Sequence, residues 1–167
     1  MKSFRKANAD DCMLIYELAV PSWEVAYSEI LPAEQIDFML EKMYSEEALK
    51  RQMREGHLFY IVLYDDVPGG FISFHPQSEN LYILEKLYIL PQMQGKGAGS
   101  FLVEKAEEYI RSQRCGDVLF ELNVNRKNAA VDFYRRLGFR VVREVDEDIG
   151  NGFYKNDYVM RKEIINA

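Results

Sequence analysis

Cysteine is scarce in this chain of 167 residues: only Cys12 and Cys115 occur, far apart and in no CxxC pair. Neither a disulfide framework nor a thiolate metal site can be built from them. Cys12 falls on an apolar helical stripe and reads as a packed, reduced thiol. Histidine is as sparse. His57 and His75 are the two imidazoles, neither has a carboxylate at ligand spacing, and no metal is expected. A basic excess is also missing, since 27 acidic against 21 basic side chains leave a net charge of −6. Nucleic-acid binders usually carry the opposite balance, so no nucleic-acid partner is expected. No apolar run approaches the roughly 20 residues that span a bilayer, which argues against a membrane partner. The first residues lack the apolar centre and cleavage site of a secretory leader, and the expected location is cytoplasmic. Repeats, low-complexity tracts and Pro/Gly/Ser-rich linkers are absent, and the length suits one domain over 1–167.

What is present is ordinary globular material, 48% hydrophobic and 29% charged. Phe4-Arg5-Lys6 suits a short first strand. Asp10 or Asp11 can cap a helix with Leu14, Ile15, Leu18 and Ala19 on one face, stopped by Pro21. Pro32 suits the first turn of a second helix carrying Ile36, Met39, Leu40 and Met43. Ser45-Glu46-Glu47 reads as cap and acidic first turn of a third, closed by Gly56. The pattern then changes to β-strands at 58–64, 69–75 and 81–90, the first two joined by an Asp65-Asp66-Val67-Pro68 turn. A helix follows, with Phe101, Leu102, Ala106, Tyr109 and Ile110 on its buried side. Further on come a strand at 118–124, a helix at 129–137, and strands at 139–145 and 153–160. This order predicts an α+β fold on a mixed, mostly antiparallel sheet of about six to seven strands. The unit from Leu84 to Val124 should add one parallel pair. Glu144, Asp146, Glu147 and Asp148 read either as a solvated turn between the last two strands or as a patch attracting a polycation. Phe153 to Tyr158 alternates as a half-exposed edge strand does, which raises the expectation of a homodimer.

The most informative stretch is Gln94-Gly95-Lys96-Gly97-Ala98-Gly99-Ser100. A strand, a glycine-rich turn and a helix place unpaired N–H groups at a helix N-terminus, where phosphate binds. Three glycines in five residues exceed what a plain turn needs. The nucleotide P-loop is excluded because Gly97, not Ser or Thr, follows Lys96. The dinucleotide fingerprint would need glycine where Ser100 stands, and an earlier place in the chain.

Gln94, Gly97 and Gly99 match the [QR]xxGx[GA] signature, and here the sequence resembles the GNAT N-acetyltransferase superfamily. Leu87-Tyr88-Ile89-Leu90-Pro91 is similar to the family's strand-and-proline lead-in. Asn128 through Phe133-Tyr134-Arg135-Arg136-Leu137-Gly138-Phe139 resembles its N…FYxxxGF segment. The resemblance implies a GNAT-like sheet flanked by helices on both faces, and acetyl-CoA as acyl donor. It would set the pyrophosphate on the amides of Gly95, Lys96, Gly97, Ala98, Gly99 and Ser100. The pantetheine arm would run as a pseudo-strand beside the main chain of Leu87, Tyr88 and Ile89. Asn128 would be the cofactor-facing amide, with Asn125 and Asn123 as competitors because the Asn-to-Tyr spacing is one residue short.

The implied reaction is direct transfer of acetyl to a primary amine of a small molecule. An amine attacks only as the neutral base, so its proton must be accepted, and the departing thiolate benefits from a donor. Tyr134 matches the family's tyrosine and is the candidate general acid. Glu85, two residues before Leu87 and expected on the same sheet face by alternation, is the candidate base, with a water chain to solvent as the alternative. Many relatives carry a glutamate two residues earlier, where Ile83 stands. The N-terminal helices of such proteins build the acceptor side, which brings in Trp23 and Tyr27, each equally suited to the core; His75 could face the cleft. A scattered likeness to the spermidine/spermine acetyltransferase branch raises a polyamine acceptor. Alternatives are an acetyltransferase for protein amines and a non-catalytic acyl-CoA sensor or interaction module.

Overall fold

The computed structural model describes residues 1–166. In chain order it comprises β1 (Lys2–Lys6), α1 (Cys12–Tyr27), α2 (Ala33–Tyr44), α3 (Glu46–Arg54), β2 (Leu58–Tyr64), β3 (Val67–Ser78) and β4 (Leu81–Ile89). Then follow α4 (Ala98–Gln113), β5 (Val118–Asn125), α5 (Ala130–Arg136), β6 (Arg140–Gly150) and β7 (Phe153–Ile164). The seven strands form one sheet in the order β1-β2-β3-β4-β5-β7-β6. Only β4 and β5 run parallel; every other neighbouring pair is antiparallel. This is the α+β architecture that the element order implied. Among the described residues no helix is long and apolar enough to cross a membrane.

Each face of the sheet has its own core. Ile72, Phe74, Phe120 and Leu122 pack under Leu102, Ala106 and Ile110 of α4 and Val131 of α5. On the other face Phe59, Ile61 and Phe71 meet Ile15, Leu18 and Trp23 of α1, Leu40 of α2 and Leu49 of α3. Strand alternation supplies both faces from the same strands.

Three expectations are corrected. Pro21 does not stop α1, which runs on to Tyr27. An interior proline costs about 3 kcal/mol. Here buried Leu18 and Ala19 before it and buried Ser22 and Trp23 after it hold the helix together, and the Ser22 hydroxyl donates to the Leu18 carbonyl at 2.8 Å. β7 is not an edge strand either. It lies between β5 and β6, leaving β1 and β6 as the outer strands of the sheet, so the edge character expected of Phe153 to Tyr158 holds only for its first part. Its first residues, Phe153 to Asn156, pair in register with β6 alone, whereas β5 takes up Asp157 to Ile164. That half has one neighbour and alternates like an edge. Finally, the acidic run belongs to β6 itself; the turn is at Asn151 and Gly152. Asp146 there pairs with Arg126 at 2.6 Å.

The feature that shapes the site is a bulge in β4. Ser73 of β3 stands opposite Lys86, but the next residue, Phe74, stands opposite Leu84. Glu85 is therefore the extra residue, unpaired in the β3 ladder. Parallel pairing to β5 also ends here, with Leu84 opposite Leu122 as its last pair. Beyond it the two strands have no registered partners between them.

Candidate active site

The stretch between β4 and α4 spends its first backbone donors internally, Leu90 N on Gly69 O and Met93 N on Leu90 O, both at 2.8 Å. Gly95 and Gly97 have φ of +80° and +78°, a region that favours glycine. Gly97 is the N-cap of α4, and Gly99 is needed for another reason: a Cβ there would come within 3.0 Å of the Phe133 ring. Among the described residues, no N–H from Gly95 to Ser100 donates to a protein acceptor. The loop is held through its carbonyls instead. Lys96 O accepts from Lys2 Nζ at 3.2 Å and from Tyr64 Oη at 3.1 Å. Six adjacent free donors at a helix N-terminus, with the Lys2 ammonium alongside, are groups to which an anion could bond.

A cavity of about 670 Å³ starts at this loop and enters the gap opened by the bulge. Leu87, Tyr88 and Ile89 line one side, Asn123 and Val124 the other, and Tyr134 and Tyr27 the inner part. The unpaired margin of β4 thus faces open space, where a ligand could use the strand's hydrogen-bonding groups.

Tyr134 is buried at 7% exposure, and its hydroxyl makes no hydrogen bond to the described residues. Burial, and secondarily the Tyr27 phenol, raise its pKa above the ordinary tyrosine value, so it keeps its proton at neutral pH. Tyr27 lies within a chain: Asn128 Nδ2 donates to Tyr27 Oη at 3.2 Å, and the Tyr27 and Tyr88 hydroxyls are 3.2 Å apart. Asn128 Oδ1 accepts from Ala130 N at 2.9 Å, which leaves one N–H of its amide free. Of its two competitors, Asn123 also lines the cavity. Asn125 does not, and its oxygen accepts from Lys127 N at 2.9 Å.

Glu85 lines the cavity, but on the face opposite to the one that alternation predicts. Leu87 and Ile89 pack with the α4 core, while Glu85 turns toward His75, its Oε1 2.8 Å from His75 Nε2. The bulge inverts the alternation between Leu84 and Lys86. The His75 bond holds the Glu85 carboxyl below its ordinary pKa, against the opposing effect of burial. His75 itself stands behind Glu85 and is not on the cavity wall. It stacks on His57, ring centroids 4.1 Å apart and 17° from parallel. Trp23 is likewise off the wall. It is buried, donates its indole N–H to Tyr44 Oη at 3.2 Å, and packs against Tyr27 and Tyr88.

Sequence reasoning passed over Asp157, Lys86 and Arg136. Asp157 is a buried carboxylate beside Lys155 and Asn123, its pKa raised chiefly by burial. Lys86 lies buried on the α1–α3 face, its Nζ donating to Gln52 Oε1 at 2.7 Å. Arg136 reaches the cavity from the end of α5. An acidic residue inside a strand otherwise apolar at Val159 and Met160 was the available signal for Asp157. A lysine amid the apolar run of β4 was the signal for Lys86.

The acetyltransferase (GNAT) family model matches residues 13–139. The chain belongs to the GNAT family. It is an acetyl-CoA-dependent N-acetyltransferase. Across the family its relatives include spermidine N(1)-acetyltransferase of Thermoplasma acidophilum, 27% identical over 165 residues and covering 95% of each chain. Peptidyl-lysine N-acetyltransferase YjaB of Salmonella typhimurium is 30% identical over 110 residues, 65% of this chain and 68% of that one. Among solved structures, the PaiA N-acetyltransferase of Thermoplasma acidophilum in complex with coenzyme A superposes with a TM-score of 0.81. It is 27% identical, with coverage of 98% of this chain and 99% of that one.

Proposed function

We propose that this GNAT enzyme moves acetyl directly from acetyl-CoA to a primary amine of a small molecule, with a polyamine as the leading acceptor class. The observation that carries the reading is the continuous cavity from six free amides, past the unpaired margin of β4, to the unspent Tyr134 hydroxyl. The diphosphate suits the amides of Gly95 to Ser100. Pantetheine suits the gap beside Leu87, Tyr88 and Ile89, as an added strand bonded through main chain. Asn128 offers its remaining N–H to the same arm.

In the transfer, the amine nitrogen attacks the thioester carbonyl, whose oxygen gathers charge and requires an N–H donor. A main-chain N–H on the unpaired margin of β4 is the candidate donor. As the tetrahedral intermediate collapses, the C–S bond breaks and Tyr134 gives a proton to the sulfur. A phenol whose pKa is raised stays protonated for that step. Glu85 takes the proton of the acceptor ammonium. Such acid and base roles are each worth about 10²–10⁴ in rate.

The polyamine class is supported by the spermidine-acetylating relative, which matches nearly the whole chain. The peptidyl-lysine relative supports a second reading, an acetyltransferase for protein lysines. Incubation with acetyl-CoA and a panel of spermidine, free lysine and lysine peptides, followed by free thiol, separates the two. Spermidine should turn over fastest. Preference for the peptides overturns the small-molecule reading, and no acceptor-dependent thiol with any amine overturns both.

A further inference from the structure

The peptide that joins Lys96 to Gly97 is held from outside its loop. Lys96 O accepts from Tyr64 Oη, at the end of β2, at 3.1 Å and from Lys2 Nζ, at the start of β1, at 3.2 Å. Lys2 and Tyr64 are cross-strand partners in the sheet, so both donors reach the carbonyl from one paired position. A trans peptide is planar, and its C=O and N–H point in opposite directions; no peptide among the described residues is cis. Fixing Lys96 O toward β1 and β2 therefore turns Gly97 N–H away from them. That N–H donates to no described residue, and Gly97 lines the cavity as the N-cap of α4.

The tip of the β2–β3 hairpin braces the same segment at further points. Gly69 O accepts from Leu90 N at 2.8 Å. A Cβ at Gly69 would lie 3.2 Å from Met93 Cγ and 3.5 Å from Tyr64 Cδ2, so Met93 packs closely over this corner. Lys96 Nζ stands over the Tyr64 ring, 5.6 Å from its centroid. The Tyr64 ring thus supports the segment by packing, while its hydroxyl fixes one peptide plane.

We propose that the Tyr64 hydroxyl is a positioning group for the coenzyme: together with Lys2 it clamps the 96–97 peptide so that Gly97 N–H is aimed at the diphosphate. The inference rests on the reading that the diphosphate meets the amides of Gly95 to Ser100. Glycine is the residue with the widest backbone freedom, and the clamp orders this one before the ligand arrives, which lowers the entropic cost of binding. A carbonyl that accepts from a phenol and an ammonium is also polarised, which strengthens the N–H of the same peptide as a donor. Water can replace the hydroxyl as a donor, but it has no link to the sheet and holds no plane. Tyr64 acts through Gly97 and touches none of the reacting atoms.

Tyr64→Phe removes one oxygen and keeps the ring under Lys96 and Met93. Two acyl donors are compared with the fastest acceptor of the panel: acetyl-CoA, and acetyl-pantetheine, which carries the same thioester without the diphosphate. The wild type should favour acetyl-CoA in kcat/KM. Tyr64→Phe should raise the acetyl-CoA dissociation constant, measured by calorimetry, about fivefold or more and cut the acetyl-CoA preference by a similar factor, with kcat at saturating acetyl-CoA unchanged. Lys2→Met, which removes the second donor and its charge, should lower the same preference, and more so at low salt. An unchanged preference in Tyr64→Phe overturns the clamp and leaves the diphosphate site standing. Equal losses with both donors also overturn it, because damage that ignores the diphosphate is general to the fold. A wild type that uses both donors alike overturns the diphosphate reading, and the clamp with it.

Discussion

Lys86 offers a quantitative test of how the α1–α3 face is packed. Its Nζ lies over the rings of Tyr44 and Phe59, 5.4 and 5.7 Å from their centroids, with Gln52 Oε1 its hydrogen-bond acceptor. Desolvation dominates, and its pKa falls from 10.5 to about 8. The unfolded chain, with the higher pKa, binds more protons between these values, so stability rises with pH across that window. A difference of roughly 2.5 pH units at 1.36 kcal/mol each amounts to about 3 kcal/mol in favour of unfolding at neutral pH. That penalty disappears as the ammonium loses its proton in the fold. Lys86→Met keeps the stem and removes the charge. It leaves Gln52 short of a donor, a cost of about 1 kcal/mol that does not vary with pH. Urea denaturation of both proteins from pH 7 to 10 isolates the effect, because every other titrating group cancels in the difference. The wild type should gain about 2 kcal/mol or more on the variant over that range. A flat difference would refute the claim that Lys86 is buried as a charge.

Three further outcomes follow from the site. Tyr134→Phe should lower kcat by about 10²-fold or more with little change in coenzyme affinity, measured by thiol release and calorimetry; unchanged turnover removes its acid role. Gly97→Asp forces a side chain into φ +78° beside the free amides and adds a negative charge. It should abolish coenzyme-induced stabilisation, which reaches about 2.7 kcal/mol at a hundredfold excess over Kd. Gly99→Val should displace Phe133, weaken coenzyme binding and lower Tm, since even a Cβ at 99 lies 3.0 Å from that ring; wild-type affinity and Tm would contradict the close approach.

The local signals in the sequence were reliable where local chemistry decides structure. Ser45 does cap α3, its hydroxyl accepting from Ala48 N at 3.2 Å. Asp65 and Asp66 do take positive φ in a hairpin turn, and the turn of 94–100 does open onto a helix. What escaped was set by partners distant in sequence. Whether Pro21 ends a helix depends on burial against other elements on both sides of it. The place of β7 depends on β5, which alone distinguishes the inner half of the strand from its protruding half. The bulge at Glu85 arises from register with β3, so simple alternation put the carboxylate on the wrong face and hid its contact with His75. Trp23 and Tyr27 lie four residues apart on α1, yet only Tyr27 reaches the cavity, a difference of helix rotation that spacing alone does not decide.

A structure determined with coenzyme A bound bears most directly on the account. Diphosphate oxygens should lie about 2.9 Å from N–H groups of Gly95 to Ser100, with the arm along Leu87 to Ile89 and the sulfur directed at Tyr134 Oη. Coenzyme seated elsewhere, with those amides bonded to other protein groups, would contradict it.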